Sequence, residues 1–292
     1  MKKLGKIAKP YRVEEGKHFR LKDFDPGDTG KLRSREEATA DLEAGVEQLR
    51  DLQEKLYAQE SWGLLVILQG MDAAGKDSVI KHVMSGVNPQ GCQVHSFKAP
   101  SADELKHDYL WRTNQRVPER GQIGIFNRSY YEEVLVVRVH QELLKNEKIP
   151  PPLVTKDIWK ERFDDMCGFE RYLTRNGFVV RKFFLNLSKK EQKKRFLARL
   201  EEAEKNWKFS AADIHERESW DDYMGAYEDM IRHTATEEAP WYVVPADNKW
   251  FTRVVVAAAL VDTLQKLHLD YPKLDPDKRK QLQAARALLE KE

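Results

Sequence analysis

The residues best suited to chemistry lie between Leu64 and Lys81, in the run LLVILQGMDAAGKDSVIK. Gly70 and Gly75 bracket a short loop, and Lys76 follows at once. Glycines let a backbone turn tightly and bring its N–H groups close to an anion. The lysine adds a full charge that can reach outer phosphates. Leu64 to Leu68 is an unbroken apolar run, as in a buried parallel strand, and Val79 and Ile80 open a helical pattern. Strand, glycine loop and helix N-terminus form the context of a phosphate-binding P-loop, where the helix end adds free donors and about half a positive charge. The phosphate-binding set from this stretch is Gly70, Ala73, Ala74, Gly75, Lys76, Asp77 and Lys81. The plainer alternative is a glycine turn before a helix, with Lys76 solvated and Asp72 capping.

Two positions depart from the motif. The residue after the lysine should be Ser or Thr, to ligate magnesium; here it is Asp77, and Ser78 comes one position late. Asp72 lies inside the loop, where a carboxylate repels phosphate unless a cation sits between them. Asp72 is therefore read as a Mg²⁺ ligand that replaces the missing hydroxyl, with Mn²⁺ as a substitute metal. The third strand, Gln122 to Phe126, ends in Asn127-Arg128-Ser129, where an acidic Walker B residue would stand. Asn127 is a poorer cation ligand than Asp, and Glu132 could supply the missing charge. Arg128 offers a bidentate fork for phosphate, or else a salt bridge to Glu132 or Glu133. The expected catalytic set is Asp72, Lys76, Arg128 and Glu132, with Asp72 and Glu132 on the metal.

These residues need a scaffold, and the chain supplies alternating elements. Residues 1–33 lack periodicity and are expected to lie as an extended arm on the body. Ser34-Arg-Glu-Glu37 is a capping box, opening a helix to about Gln59 with Leu42, Leu49, Leu52 and Leu56 inward. Gly91 to Phe97 alternates like a strand. Ser101-Ala-Asp-Glu104 is a second capping box, whose helix would carry His107, Asp108, Trp111 and Arg112. Asp108 and Arg112 are spaced for a surface ion pair; Trp111 and Arg112 are equally suited to clamp a flat or anionic ligand. The nucleotide-binding set is Lys98, Trp111, Arg112, Asn127 and Arg128.

Thr155–Asn176 reads as a helix closed by Gly177, and Phe178–Leu187 as a strand containing Arg181. Ser188-Lys-Lys-Glu191 caps a helix that presents Lys194, Arg195 and Arg199, followed by Lys205, Trp207 and Lys208. A basic helical hairpin at this point fits a lid, unless it is only a solvated face balanced by Glu201, Glu202 and Glu204. Arg181, Arg195, Arg199 and Lys208 complete the cations assigned to phosphate. Ser210-Ala-Ala-Asp213 restarts a helix. Ala239–Val244 is a fifth strand, and Lys249, Trp250 and Arg253 come just past its carboxyl end, on the ligand side of an open α/β sheet. A helix from Lys249 to His268 and a polar one after Asp275-Pro276 finish the chain.

Five strands alternating with helices imply an α/β fold, a five-stranded parallel sheet covered on both faces. No composition break divides it, so residues 34–268 read as one P-loop domain with a lid at about 194–220, and 269–292 as a helical tail. The bulk numbers agree with a soluble globular protein: 292 residues, 34% charged and 41% hydrophobic, net charge +2. That charge argues against a general nucleic-acid binder. Two cysteines, Cys92 and Cys167, make no disulfide framework or four-cysteine zinc site. The N-terminus has no apolar signal region, and Val254–Val261 is too short to span a bilayer. A cytoplasmic protein without membrane contact is expected. Apolar helices and the arm point to self-association, as a dimer or tetramer.

Several motifs in order together resemble the polyphosphate kinase 2 family. They are Gly70-Met-Asp-Ala-Ala-Gly-Lys-Asp77, Phe126-Asn-Arg-Ser-Tyr-Tyr131, Trp207-Lys208, Trp220-Asp-Asp-Tyr223 and Ala239-Pro-Trp-Tyr-Val-Val-Pro-Ala-Asp-Asn-Lys-Trp250. The resemblance implies a thymidylate-kinase-like P-loop core with a helical lid. It implies Mg²⁺-dependent transfer of a terminal phosphoryl from inorganic polyphosphate to adenine nucleotides, with guanine as a further candidate base. The family's usual second motif has Asp where this chain has Asn127. Sequences reading Phe-Asn-Arg-Ser-Tyr-Tyr resemble the branch that accepts both mono- and diphosphates, so AMP and ADP are both expected acceptors. The competing readings are an ATP-dependent nucleoside monophosphate kinase and a non-catalytic polyanion binder.

Overall fold

The computed structural model describes residues 5–32 and 34–291. Six strands appear among the described residues: β1 (Arg12–Val13), β2 (Gly63–Gln69), β3 (Cys92–Ser96), β4 (Ile123–Asn127), β5 (Phe178–Asn186) and β6 (Trp241–Pro245). The helices in chain order are α1 (Gly5–Ala8), α2 (Arg35–Gln59), α3 (Lys76–Val83), α4 (Trp111–Asn114), α5 (Val136–Val139) and α6 (Ile158–Arg175). They continue with α7 (Lys189–Glu201), α8 (Ala211–Glu218), α9 (Trp220–Thr234), α10 (Lys249–Gln265) and α11 (Pro276–Leu289).

The strands form one sheet in the order β1-β6-β5-β2-β4-β3. Every neighbouring pair is parallel except β1 with β6. The sheet thus has six strands where five were expected. β1 is two residues long, too short to carry a period-2 signal, and it exists only by pairing with β6. It covers an edge that would otherwise expose unpaired backbone groups.

β2 is buried along its whole length and feeds both cores. Leu64, Val66 and Leu68 pack on one face with α2, α3 and α10; Leu65 and Ile67 pack on the other with α6 and α9. This is the strict alternation of a strand applied to a run that is apolar on both sides. β2 lies between β4 and β5 although β3 follows it in the chain, so its carboxyl end opens at a topological switch point.

Ser34 caps α2 by accepting from the Glu37 amide at 3.2 Å, and Ser188 caps α7 from Glu191 at 3.1 Å. The capping box at Ser101 also closes, with the Ser101 amide on Glu104 Oε2 at 2.6 Å and the Glu104 amide on Ser101 Oγ at 3.2 Å. The expected long helix does not follow. His107 is extended after a single 3₁₀ turn, and the Asp108 carboxylate accepts from the Leu110 amide at 2.9 Å, starting a separate one-turn α4. Asp108 is therefore not the partner of Arg112. Glu132 sits on a 3₁₀ turn, Tyr130–Val134, rather than on an α-helix. α8 and α9 are separated at Ser219. No helix among the described residues is long and apolar enough to cross a membrane.

Candidate active site

The loop after β2 turns on two glycines in conformations that other residues rarely adopt. Gly70 has φ +153°, and a Cβ there would lie 3.0 Å from the Leu185 carbonyl oxygen. Gly75 has φ +109° and stands immediately before α3. Lys76 is buried, and its Nζ donates to the carbonyl of Gly70 at 2.6 Å. Desolvation lowers its pKa, and Arg128 pushes the same way against Asp72, Glu132 and Asp77.

Arg128 leaves β4 with φ +63°, which turns its side chain back toward the loop. Its Nη2 donates to Asp72 Oδ1 at 2.8 Å and its Nη1 to Glu132 Oε2 at 3.2 Å. Glu132, above all, raises the Arg128 pKa further, so its charge is permanent. The two carboxylates singled out for a metal are thus bridged by one guanidinium. Glu133 is engaged elsewhere, accepting from Arg162 at 2.5 Å. Asn127 donates from Nδ2 to Asp77 Oδ1 at 2.7 Å, which joins the two positions that depart from the P-loop pattern.

Arg195, assigned to phosphate, is anchored on backbone carbonyls. It is buried, and its Nη1 donates to the carbonyls of Ala73 and Ala74 at 2.9 and 3.1 Å. Its Nη2 donates to the carbonyls of Ala246 and Asp247 at 2.6 and 3.0 Å. One planar fork therefore ties α7, the P-loop and the end of β6 together. Gln192, one turn earlier, donates to the Asp72 carbonyl at 3.0 Å. Arg199 joins α7 to α8 through Asp213 at 3.0 Å. Burial, then the charge of Asp72, raises the Asp213 pKa.

These groups surround a cavity of about 590 Å³ that brings Asp72, Lys76, Asp77, Asn127, Arg128 and Arg199 together. Arg195 and Lys98 also reach it, as do Lys205 and Lys249, which were not among the assigned site residues. Lys249 was legible as a ligand-side position past β6; what was missing was its approach to α7. A larger cavity of about 780 Å³ lies against α9, but Asp221, Asp222, Glu228 and Asp229 line it, a poor site for phosphate.

Several assigned residues lie elsewhere. Arg181, in the amino-terminal half of β5, bonds Thr263 Oγ1 at 3.0 Å and the Glu238 carbonyl at 3.1 Å, away from the P-loop. Lys81 is exposed on α3 and does not line the cavity. Trp111 stacks on His107 at 3.9 Å. Arg112 donates to the Lys98 carbonyl at 2.8 Å, so it supports the cavity wall rather than lining it. The side chain of Lys208 lies outside the described residues.

Residues 32–272 match the model of a family described as polyphosphate kinase 2. The chain belongs to the polyphosphate kinase 2 family. Two relatives are similar over most of the chain. An ADP-polyphosphate phosphotransferase of Rhodopseudomonas palustris is 51% identical over 94% of this chain and 96% of its own. An AMP/ADP-polyphosphate phosphotransferase of Meiothermus ruber is 46% identical over 90% and 95%. The crystal structure of polyphosphate kinase 2 from Arthrobacter aurescens superposes with a TM-score of 0.89 at 42% identity, covering 98% of this chain and 97% of that one.

Proposed function

We propose that this polyphosphate kinase 2 protein transfers the terminal phosphoryl of inorganic polyphosphate to AMP and to ADP. The observation that carries the reading is the cavity in which Lys76, Arg128, Arg199, Lys205 and Lys249 converge on the P-loop. Cations gathered on one loop suit a donor whose charge repeats along its length. The names of the Rhodopseudomonas and Meiothermus relatives supply the donor and the acceptors.

Phosphoryl transfer requires in-line positioning and neutralisation of charge on the transferred group, and little covalent help. Lys76 and Arg128 both line the P-loop cavity and would hold the transferred group between them. Lys76 gives up its loop carbonyls for phosphate oxygens. Arg199 and Lys205 close the cavity from the α7 side and limit water. The acceptor is already an anionic oxygen, so no general base is needed.

Among the described residues no cluster of three or more His, Cys, Asp or Glu side chains could hold a metal by itself. Mg²⁺ does not need one: a carboxylate or two with substrate phosphates and water is its usual shell. The donor set fits that mode, with Asp72 as the main ligand and Glu132 as the second. Bound Mg²⁺ would neutralise charge developing on the transferred phosphoryl. Asn127 supports acceptance of AMP as well as ADP. A cytoplasmic location suits these substrates, and Leu282, Leu288 and Leu289, exposed on α11, support self-association.

The test is a ³¹P NMR time course with Mg²⁺, polyphosphate and AMP, without ATP. ADP and then ATP should appear. Transfer only from ADP would reject the AMP assignment. Transfer from ATP and none from polyphosphate would reject the donor.

A further inference from the structure

β2 is apolar until its last residue, Gln69, which is fully buried. By alternation Gln69 faces the same core as Leu65 and Ile67, where Tyr130 and Tyr131 pack. Its Nε2 donates at 3.1 Å to Ser129 Oγ, on a residue that is fully buried too. Its Oε1 is buried and has no hydrogen-bond partner. Turning the amide over would only move the gap: the Ser129 hydroxyl would then donate to Oε1, and Nε2 would be the unpaired end. In either orientation the bond to Ser129 survives and half of the amide stays unmade. An apolar residue would fill this place with less penalty, so the polar one needs a reason.

The reason lies one residue before Ser129. Arg128 has φ +63°, a conformation that a residue with a side chain keeps only where its surroundings over-determine it. Its amide donates to the Leu68 carbonyl at 3.0 Å. Ser129 then runs extended, and its Oγ also accepts from the Tyr131 amide at 3.1 Å, which starts the turn that carries Glu132. Leu68 and Gln69 thus hold the chain on both sides of Arg128. Both belong to the end of β2, which runs directly into Gly70 and Asp72. Their grip sets where Arg128 leaves β4 relative to the P-loop, and Arg128 spans that gap to reach Asp72 and Glu132.

We propose that Gln69 is a positioning residue for phosphoryl transfer: through Ser129 it fixes the turn that aims Arg128 at the transferred group. Gln69 lines no part of the P-loop cavity and touches no substrate there. The inference rests on the phosphoryl-transfer reading above and deepens its account of Arg128. It separates kcat from KM, because a loosened Arg128 loses contacts made in the transition state more than contacts made on binding.

The experiment measures kcat and both KM values with polyphosphate, ADP and Mg²⁺ in Gln69→Met, Ser129→Ala, Arg128→Ala and their combinations. Gln69→Met keeps the length of the side chain and removes the unpaired atom, so it should fold with a thermal midpoint near that of wild type. Its kcat should fall about tenfold, as for a misplacement away from the chemistry. Both KM values should stay within about twofold of wild type. Ser129→Ala should give the same loss and the double variant no more, since either change breaks one link. In an Arg128→Ala background, Gln69→Met should have no further effect. Gln69→Glu has the shape of the amide, and burial favours its neutral form, which still bonds Ser129. Toward acid pH it should keep most of the kcat that Gln69→Met loses at every pH. Wild-type kcat in Gln69→Met, a loss that multiplies undiminished with that of Arg128→Ala, or a Gln69→Glu as slow as Gln69→Met at acid pH would overturn the inference. A wild-type enzyme that transfers from ATP and not from polyphosphate would reject the donor alone, and the same set of variants then decides the role of Gln69 with ATP.

Discussion

Lys76 carries its charge where the surroundings disfavour it, and that has a two-sided consequence with pH. Its folded-state pKa lies below the ordinary lysine value, mainly through desolvation. Between the two values the unfolded chain binds more protons than the folded one, so stability from this residue rises as pH rises. Wild type should thus gain on Lys76→Met in thermal midpoint as the solution becomes alkaline. Donor affinity should move the other way, because neutral Lys76 no longer attracts phosphate; KM against pH reads it. Lys76→Ala should lower kcat/KM by ~10²–10³, as for other charge-assisted transition-state contacts. A second residue-scale test concerns Asn127, whose Nδ2 donates to Asp77. Asn127→Asp replaces that donor by a carboxylate against a carboxylate. Asp77 is exposed, so without metal the change should cost up to about 1 kcal/mol. Mg²⁺ should recover much of this, so the thermal shift caused by Mg²⁺ should be larger in the variant than in wild type. An equal shift would mean that no cation binds near this pair.

The elements around the site are held by a polar knot that apolar patterning does not reveal. Lys182 on β5 is fully buried and donates to Glu170 Oε2 on α6 at 2.6 Å and to the Thr234 carbonyl on α9 at 2.7 Å. The hydroxyls of Tyr130 and Tyr131 both donate to Glu170 Oε1, at 2.8 and 2.7 Å. The same 3₁₀ turn carries Glu132, so the knot fixes the segment that aims Arg128. Lys182→Met should destabilise by about 3–5 kcal/mol, because it leaves Glu170 buried and unpaired. The double variant Lys182→Met/Glu170→Leu should recover a large part of that, which urea denaturation can measure. This knot also shows where sequence reasoning ends. The P-loop was legible because its phosphate-facing groups are consecutive, from Gly70 to Asp77, and their geometry is local. β5 was legible as a strand, but Arg181 within it looked like a spare cation for a phosphate site, and Lys182 drew no reading at all. Their actual partners, Thr263 and Glu170, lie on α10 and α6, and nothing in the spacing announces them. The anchoring of Arg195 was hidden for the same reason: a basic helix face looks identical whether it meets water or loop carbonyls.

At the scale of the whole molecule, the segment before α2 is a strap across the carboxyl ends of β5 and β6. Tyr11, Val13 and Phe19 are buried. The Phe24 carbonyl accepts from Asn186 Nδ2 at 2.8 Å, the Pro26 carbonyl from the Asp247 amide at 3.1 Å, and the Gly27 carbonyl from Asn248 Nδ2 at 3.2 Å. Those contacts set the loop that ends in Lys249, so the strap should matter to catalysis although it lines no part of the P-loop cavity. Gly16 allows the point to be tested with one methyl group. A Cβ at Gly16 would lie 2.0 Å from the Arg232 carbonyl oxygen on α9, backbone against backbone, and the strap would have to lift. Gly16→Ala should cost about 1–3 kcal/mol as an overpacking change. It should expose residues near Arg20 and Lys22 to trypsin at enzyme levels that leave wild type intact. If the strap positions Lys249, KM for polyphosphate should rise in the same variant while KM for the nucleotide stays put, because the Lys98 side of the cavity is untouched. Proteolytic opening without any change in the donor KM would confine the strap to stability.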